Sequence, residues 1–228
     1  MNWKNYFSTS IGKKLLVGGT GLFLISFLVI HCYVNAMILW NDNGKHFTEA
    51  AAFMGGNVAV RILEIGLFAG LILHIVQGLM LWSQNSKRRP VRYEVSAGSK
   101  TSRWYSRSMG LLGTLILLFL ILHLYHFWAP NRYGQAFDPA WREEDLYEKM
   151  ALVFSETWVV VIYILGCFSL AWHLMHGFFS GFQTFGLTTH KYKGMIRSIG
   201  VAFSILIPLL FAIMPIYMHM VGNSVPHQ

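Results

Sequence analysis

Residues Leu152–Phe182, LVFSETWVVVIYILGCFSLAWHLMHGFFSGF, form one apolar block whose only formal charge is Glu156. At about 1.5 Å per residue such a run can cross a hydrocarbon core of roughly 30 Å. Within it, Leu170–Phe178 (LAWHLMHGF) carries two histidines, His173 and His176. Imidazole in hydrocarbon is costly unless a partner accepts its proton or coordinates its lone pair. The block therefore predicts a membrane helix with a polar task.

Four further blocks have the same character, at about Leu15–Trp40, Asn57–Trp82, Ser108–Trp128 and Ile196–Val221. The chain is 54% hydrophobic and 12% charged, against about 25% charged in an average soluble domain. These features predict an all-α integral membrane protein, with one five-helix transmembrane domain over residues 1–228. Trp40, Trp82 and Trp128 sit at block ends, where aromatic belts belong. The polar N-terminus MNWKNYFSTSIGKK has no cleavage-site pattern and is expected to remain. Cys32 and Cys167 both fall inside apolar blocks, so they are expected as small core residues rather than a disulfide.

The net charge of +8 does not indicate nucleic acid, because the basic residues flank the spans instead of forming a domain. The N-terminus (Lys4, Lys13, Lys14), the second loop (Lys87, Arg88, Arg89, Arg92, Lys100, Arg103, Arg107) and the fourth loop (Lys191, Lys193, Arg197) hold 13 of the 18 basic residues. Nine of the ten acids, including Glu143, Glu144 and Asp145, belong to the other side. The positive-inside rule then predicts a cytoplasmic N-terminus and an outside C-terminus. The longest connections, Ser83–Arg107 and Ala129–Ala151, are too short for a separate catalytic domain.

Four consecutive spans carry histidines: His31, His74, His123 with His126, and His173 with His176. With alternating helix directions, His31 and His123 fall toward the outer surface, each about five residues past its span's midpoint. His74 and His173 fall toward the inner surface, so two levels on the order of 10–15 Å apart each hold two imidazoles. Two bis-histidine b-type haems fit this arrangement, since low-spin iron takes imidazoles on opposite faces of the porphyrin. A flat macrocycle needs small neighbours. Gly78 and Gly177 follow His74 and His173 by four residues, on the same helix face. Gly21 and Gly113 precede His31 and His123 by ten, which suggests glycine in register with each pair. Glycine-mediated helix packing is the alternative for all four. For the His123/His126 and His173/His176 pairs, a zinc or non-haem iron site is the rival, without a nearby carboxylate or HExxH motif to support it.

The strings FLVIHCYVNA, AAAFMGGNVAVRILEIG, LILHIVQGL, GTLILLFLILHLY and YILGCFSLAWHLMHGFFSGFQTFGLT carry a family resemblance over nearly the whole chain. The chain resembles the five-helix, di-haem cytochrome b anchor subunits of succinate:quinone oxidoreductases, that is, of succinate dehydrogenase and fumarate reductase. The resemblance implies His31 and His123 as ligands of a distal haem, His74 and His173 as ligands of a proximal haem, and His176 as a hydrogen-bonding neighbour. It also implies a bacterial cytoplasmic membrane and a flavoprotein and an iron–sulfur protein on the cytoplasmic face. Electrons would then pass through both haems to a membrane quinone, usually menaquinone. His46, Glu49 and Glu64 are the candidates to handle quinone protons. Two positions depart from parts of the family: Gly55, Gly56 and Asn57 stand where some relatives are acidic, and Ala171 stands where one branch has glutamate. A di-haem subunit of a hydrogenase or formate dehydrogenase is the nearest alternative, and a transporter or structural anchor with proton-relaying histidines the next.

Overall fold

The computed structural model describes residues 9–87, 108–137 and 146–224. The basic loop 88–107, the acids Glu143–Asp145 and the tail beyond Ser224 lie outside the described residues. Among those described there is no strand. Helices α1 (Ser10–Ala36), α2 (Lys45–Gly56), α3 (Val58–Lys87), α4 (Met109–His123), α5 (Ala129–Phe137), α6 (Leu146–Ser155), α7 (Thr157–Thr184) and α8 (Lys193–Ser224) follow one another. Among the described residues, five stretches are long and apolar enough to cross a membrane: Ile11–Leu39, Val58–Asn85, Met109–Gly134, Thr157–Thr184 and Lys193–Val221.

Two boundaries differ from the sequence expectation, each for a local reason. The block from Leu152 breaks at Glu156, so Leu152–Ser155 belong to α6 and the span begins at Thr157. Glu156 sits at the head of α7, its carbonyl accepting from Val159 and Val160 N–H at 3.0 and 3.3 Å. The third span runs past Trp128 through a π-helical turn, Leu124–Trp128, into α5. Pro130 has no N–H to offer the His126 carbonyl, four residues before it. The turn widens, and Ala129 N–H bonds to the Leu124 carbonyl five residues back. Much of the expected Ala129–Ala151 loop is therefore helix.

The connection after the first span is also ordered. Gly44 adopts φ +78°, and a Cβ there would stand 2.4 Å from the Tyr147 ring, so glycine is required on both counts. Asp42 accepts hydrogen bonds from the Gly44 and His46 N–H groups, each at 3.0 Å, and caps α2. Those bonds, with the adjacent His46 ring, hold its carboxyl below the usual aspartate range. At the head of α3, the Asn57 Oδ1 accepts from Ala59 N–H at 2.9 Å.

The chain divides into two compact units, and all five crossing helices contribute to both. Unit 1 draws on Met1–Phe27, Ile65–Leu115 and Ser169–Ile205, and unit 2 on Leu28–Glu64, Ile116–Phe168 and Leu206–Gln228. Unit 2 holds a core of large side chains: Ile38, Phe47, Met150, Phe154, Val159, Tyr163, Met214 and Met218 with Cys32. Unit 1 packs differently, with side chains laid on glycines. Leu22 lies 3.1 Å from a Cβ built at Gly181, Phe23 3.1 Å from one at Gly70, and Phe178 2.7 Å from one at Gly200. Such close approaches substitute for the hydrophobic drive that lipid removes between membrane helices. Cys32 and Cys167 are both buried and free.

Candidate functional site

Each unit brings two histidines together. In unit 1 the His74 ring of α3 faces the His173 ring of α7, with centroids 6.2 Å apart and planes at 70°. In unit 2 the His31 ring of α1 faces His123 at the end of α4, with centroids 5.8 Å apart and planes at 89°. Two metal–imidazole bonds of roughly 2 Å, plus about 1 Å from each nitrogen to its ring centre, put trans ligands about 6 Å apart between centroids. Both pairs have that spacing. All four rings are half-buried.

The donor chemistry also fits a bound metal macrocycle. The Nδ1 atoms of His123 and His173 are buried with no hydrogen-bond partner among the described residues. An orphaned buried nitrogen costs about 1–3 kcal/mol, so neither ring is held in place from that side. Coordination at the other nitrogen would supply the missing anchor. Their partners are better served. The Thr20 hydroxyl lies 3.2 Å from His74 Nδ1. The Asn35 amide nitrogen, a donor only, lies 3.3 Å from His31 Nδ1 while donating to the His31 carbonyl at 2.8 Å. This favours the His31 proton on Nε2, so coordination through Nε2 would have to move that proton.

The glycines do not divide between the pairs as expected. All four lie in unit 1, with His74 and His173. A Cβ at Gly21 would stand 3.3 Å from His74 Cε1, and one at Gly113 would stand 3.9 Å from His173 Cε1. Ten residues along a helix is a rise of roughly 15 Å, so Gly21 and Gly113 serve the imidazoles of neighbouring helices rather than their own. Among the described residues, nothing beyond their own helix backbone lies within 4 Å of a Cβ built at Gly78 or Gly177. Because these follow His74 and His173 by one turn on the same face, the open space adjoins the paired rings. Close helix packing would have filled it.

Around His31 and His123 the surroundings are aromatic. Phe119 stacks on His123 with centroids 5.7 Å apart, and Phe127 stands edge-on at 5.6 Å. Phe211 of α8 lies 5.6 Å from His31. His126 turns elsewhere: its ring stacks on Tyr163 at 10°, and its Nδ1 lies 3.1 Å from the Tyr163 hydroxyl. His123, not His126, is therefore the imidazole that meets His31. His176 is half-buried and makes no hydrogen bond among the described residues.

No family model, curated protein or solved structure matches the chain. Among the described residues, no three of His, Cys, Asp and Glu converge as a metal site. A bis-imidazole centre needs only two.

The three candidate proton groups, all in unit 2, stand apart. His46 is exposed, pairs with Asp42 and packs against Trp40 at 4.7 Å. Glu49 is exposed on α2. Glu64 is tied into a network inside its span, accepting from Trp128 Nε1 at 2.7 Å, with Arg61 at 3.5 Å and Arg132 at 3.9 Å. Thr20, Asn35, Phe119 and the two arginines escape a search restricted to histidine and carboxylate spacing. A polar residue beside a glycine inside an apolar span, as at Thr20–Gly21, is the signal that could have found one of them.

Proposed function

We propose that this chain is the membrane-anchor cytochrome b subunit of a succinate:quinone oxidoreductase, with a cytoplasmic N-terminus in a bacterial cytoplasmic membrane. The observation that carries the reading is the presence of two imidazole pairs, on four different helices, each spaced for one metal between them. His74 and His173 would hold the proximal haem b, and His31 and His123 the distal one. Bound there, the haems supply one-electron carriers between an iron–sulfur partner and a membrane quinone, with menaquinone the expected species.

The chain's own residues have defined tasks in this reading. Gly78 and Gly177 leave room beside the His74 and His173 rings, and Gly21 lets His74 approach α1. Phe119, Phe127 and Phe211 exclude water from the other pair. Quinone reduction takes two protons with its two electrons. Of His46, Glu49 and Glu64, only Glu64 lies inside a crossing helix, where a quinone headgroup could reach it from the lipid. The basic loops would face the flavoprotein and iron–sulfur subunits, whose docking they favour electrostatically.

Purifying the chain from its native membrane with its partners tests the proposal. Succinate should reduce the b-type absorbance, and added quinone should reoxidise it. A colourless preparation, or one reduced by hydrogen or formate but not by succinate, would overturn the assignment.

A further inference from the structure

Beside the His74 and His173 rings, the Thr20 hydroxyl has its hydrogen bonding determined by geometry. Its Oγ1 lies 2.7 Å from the Leu16 carbonyl, one turn back on α1, and 3.3 Å from the Val17 carbonyl. Two bare acceptors do not approach to 2.7 Å, so the single hydroxyl proton points at Leu16. What Thr20 presents to His74 Nδ1, 3.2 Å away, is a lone pair. The imidazole must then donate, a direction that the Val17 carbonyl beside the ring also favours, which places its proton on Nδ1 and leaves Nε2 bare. The neighbouring Gly21 reinforces this, because its missing side chain is what allows His74 Cε1 to come within 3.3 Å of the Cβ position.

We infer that Thr20 is a positioning residue that fixes His74 in the Nδ1–H tautomer, with Nε2 free to coordinate. The inference deepens the proposed haem assignment and rests on it for its consequence, although not for the tautomer itself. Its opposite number, His173, has no partner for Nδ1 among the described residues. The two imidazoles of this pair are therefore unequal donors. A hydrogen bond from Nδ1–H raises ligand basicity, and losing such a partner typically weakens metal affinity by about 10–100-fold.

The test compares Thr20→Val, which keeps shape and removes the acceptor, with Thr20→Ser, which keeps the acceptor, in the full chain with its partners. Thr20→Val should weaken retention of one haem by about 10–100-fold and raise that haem's midpoint potential, leaving the second haem unchanged. Thr20→Ser should restore the wild-type values. Two haems in Thr20→Val with wild-type retention and potentials would overturn the inference. A second readout separates its failure from that of the haem assignment: nitrogen NMR of the haem-free full chain with labelled histidine. His74 should carry its proton on Nδ1 in wild type and Thr20→Ser, and hold that preference less strongly in Thr20→Val, where the Val17 carbonyl still accepts from the ring. A wild-type chain that binds no haem yet shows this tautomer would sink the haem assignment and leave Thr20's role standing. A wild-type His74 protonated on Nε2 would sink the role of Thr20.

Discussion

The two imidazole pairs share one geometry and differ in almost everything around it. His74 and His173 sit among glycines, with open space one turn beyond each ring and a hydroxyl on one of them. His31 and His123 sit among phenylalanines, with Phe119 stacked on one ring and Phe211 against the other. The large buried apolar side chains gather in unit 2, while glycine approaches occur in both units. Four identical side chains can thus build two unlike sites, because hydrogen bonding and local dielectric tune a metal centre as much as its ligands do. The proposal accordingly expects two haems that titrate separately.

The comparison breaks most severely if either pair is dismantled. His74→Ala or His173→Ala should cut haem content from two to one, and His31→Ala or His123→Ala should remove the other. His126→Ala should keep both. Pyridine haemochrome assay on each variant decides, and loss of a haem on changing His126 would reassign the ligand of the third span.

A smaller effect separates glycine-lined from aromatic-lined surroundings. Gly177→Leu fills open space beside His173 and should reduce occupancy of that haem alone. Gly166→Ala works in the other unit: its Cβ would stand 2.6 Å from Phe119, which rests on His123. Displacing Phe119 should cost about 1–3 kcal/mol of stability and shift the potential of the His31/His123 centre only. Equal shifts of both haems in either variant would contradict the division between surroundings. Redox titration followed optically reads this.

The smallest effect concerns the ordered connection in unit 2. Asp42→Ala removes the side-chain acceptor at the head of α2 and should lower the midpoint of thermal or denaturant unfolding slightly. Its carboxyl titrates below the ordinary range in the folded chain, so its contribution is complete at neutral pH and is lost only as pH falls through that lowered value. Haem spectra should not change.

Much of the fold is legible in the sequence, because unbroken apolar runs admit little besides membrane helices. The pairing of His31 with His123 and of His74 with His173 is legible too, since counting residues along alternating helices gives depth directly. What escapes is whatever depends on the offset between neighbouring helices. Gly21 and Gly113 face His74 and His173 because of how α1 and α4 align with their neighbours, a register that no single span encodes. The break at Glu156 and the widened turn before Pro130 hide inside blocks that look continuous by hydropathy. The arginines on Glu64 come from its own preceding turn and from α5, and only the first is near in sequence.

The central claim is that each imidazole pair holds one iron porphyrin. Haem content of the purified wild-type chain, measured against protein by amino-acid analysis together with low-temperature EPR, tests it most directly. The account predicts two haem b per chain and two distinct low-spin bis-imidazole signals. One haem or none, or a high-spin signal in place of either, would contradict it.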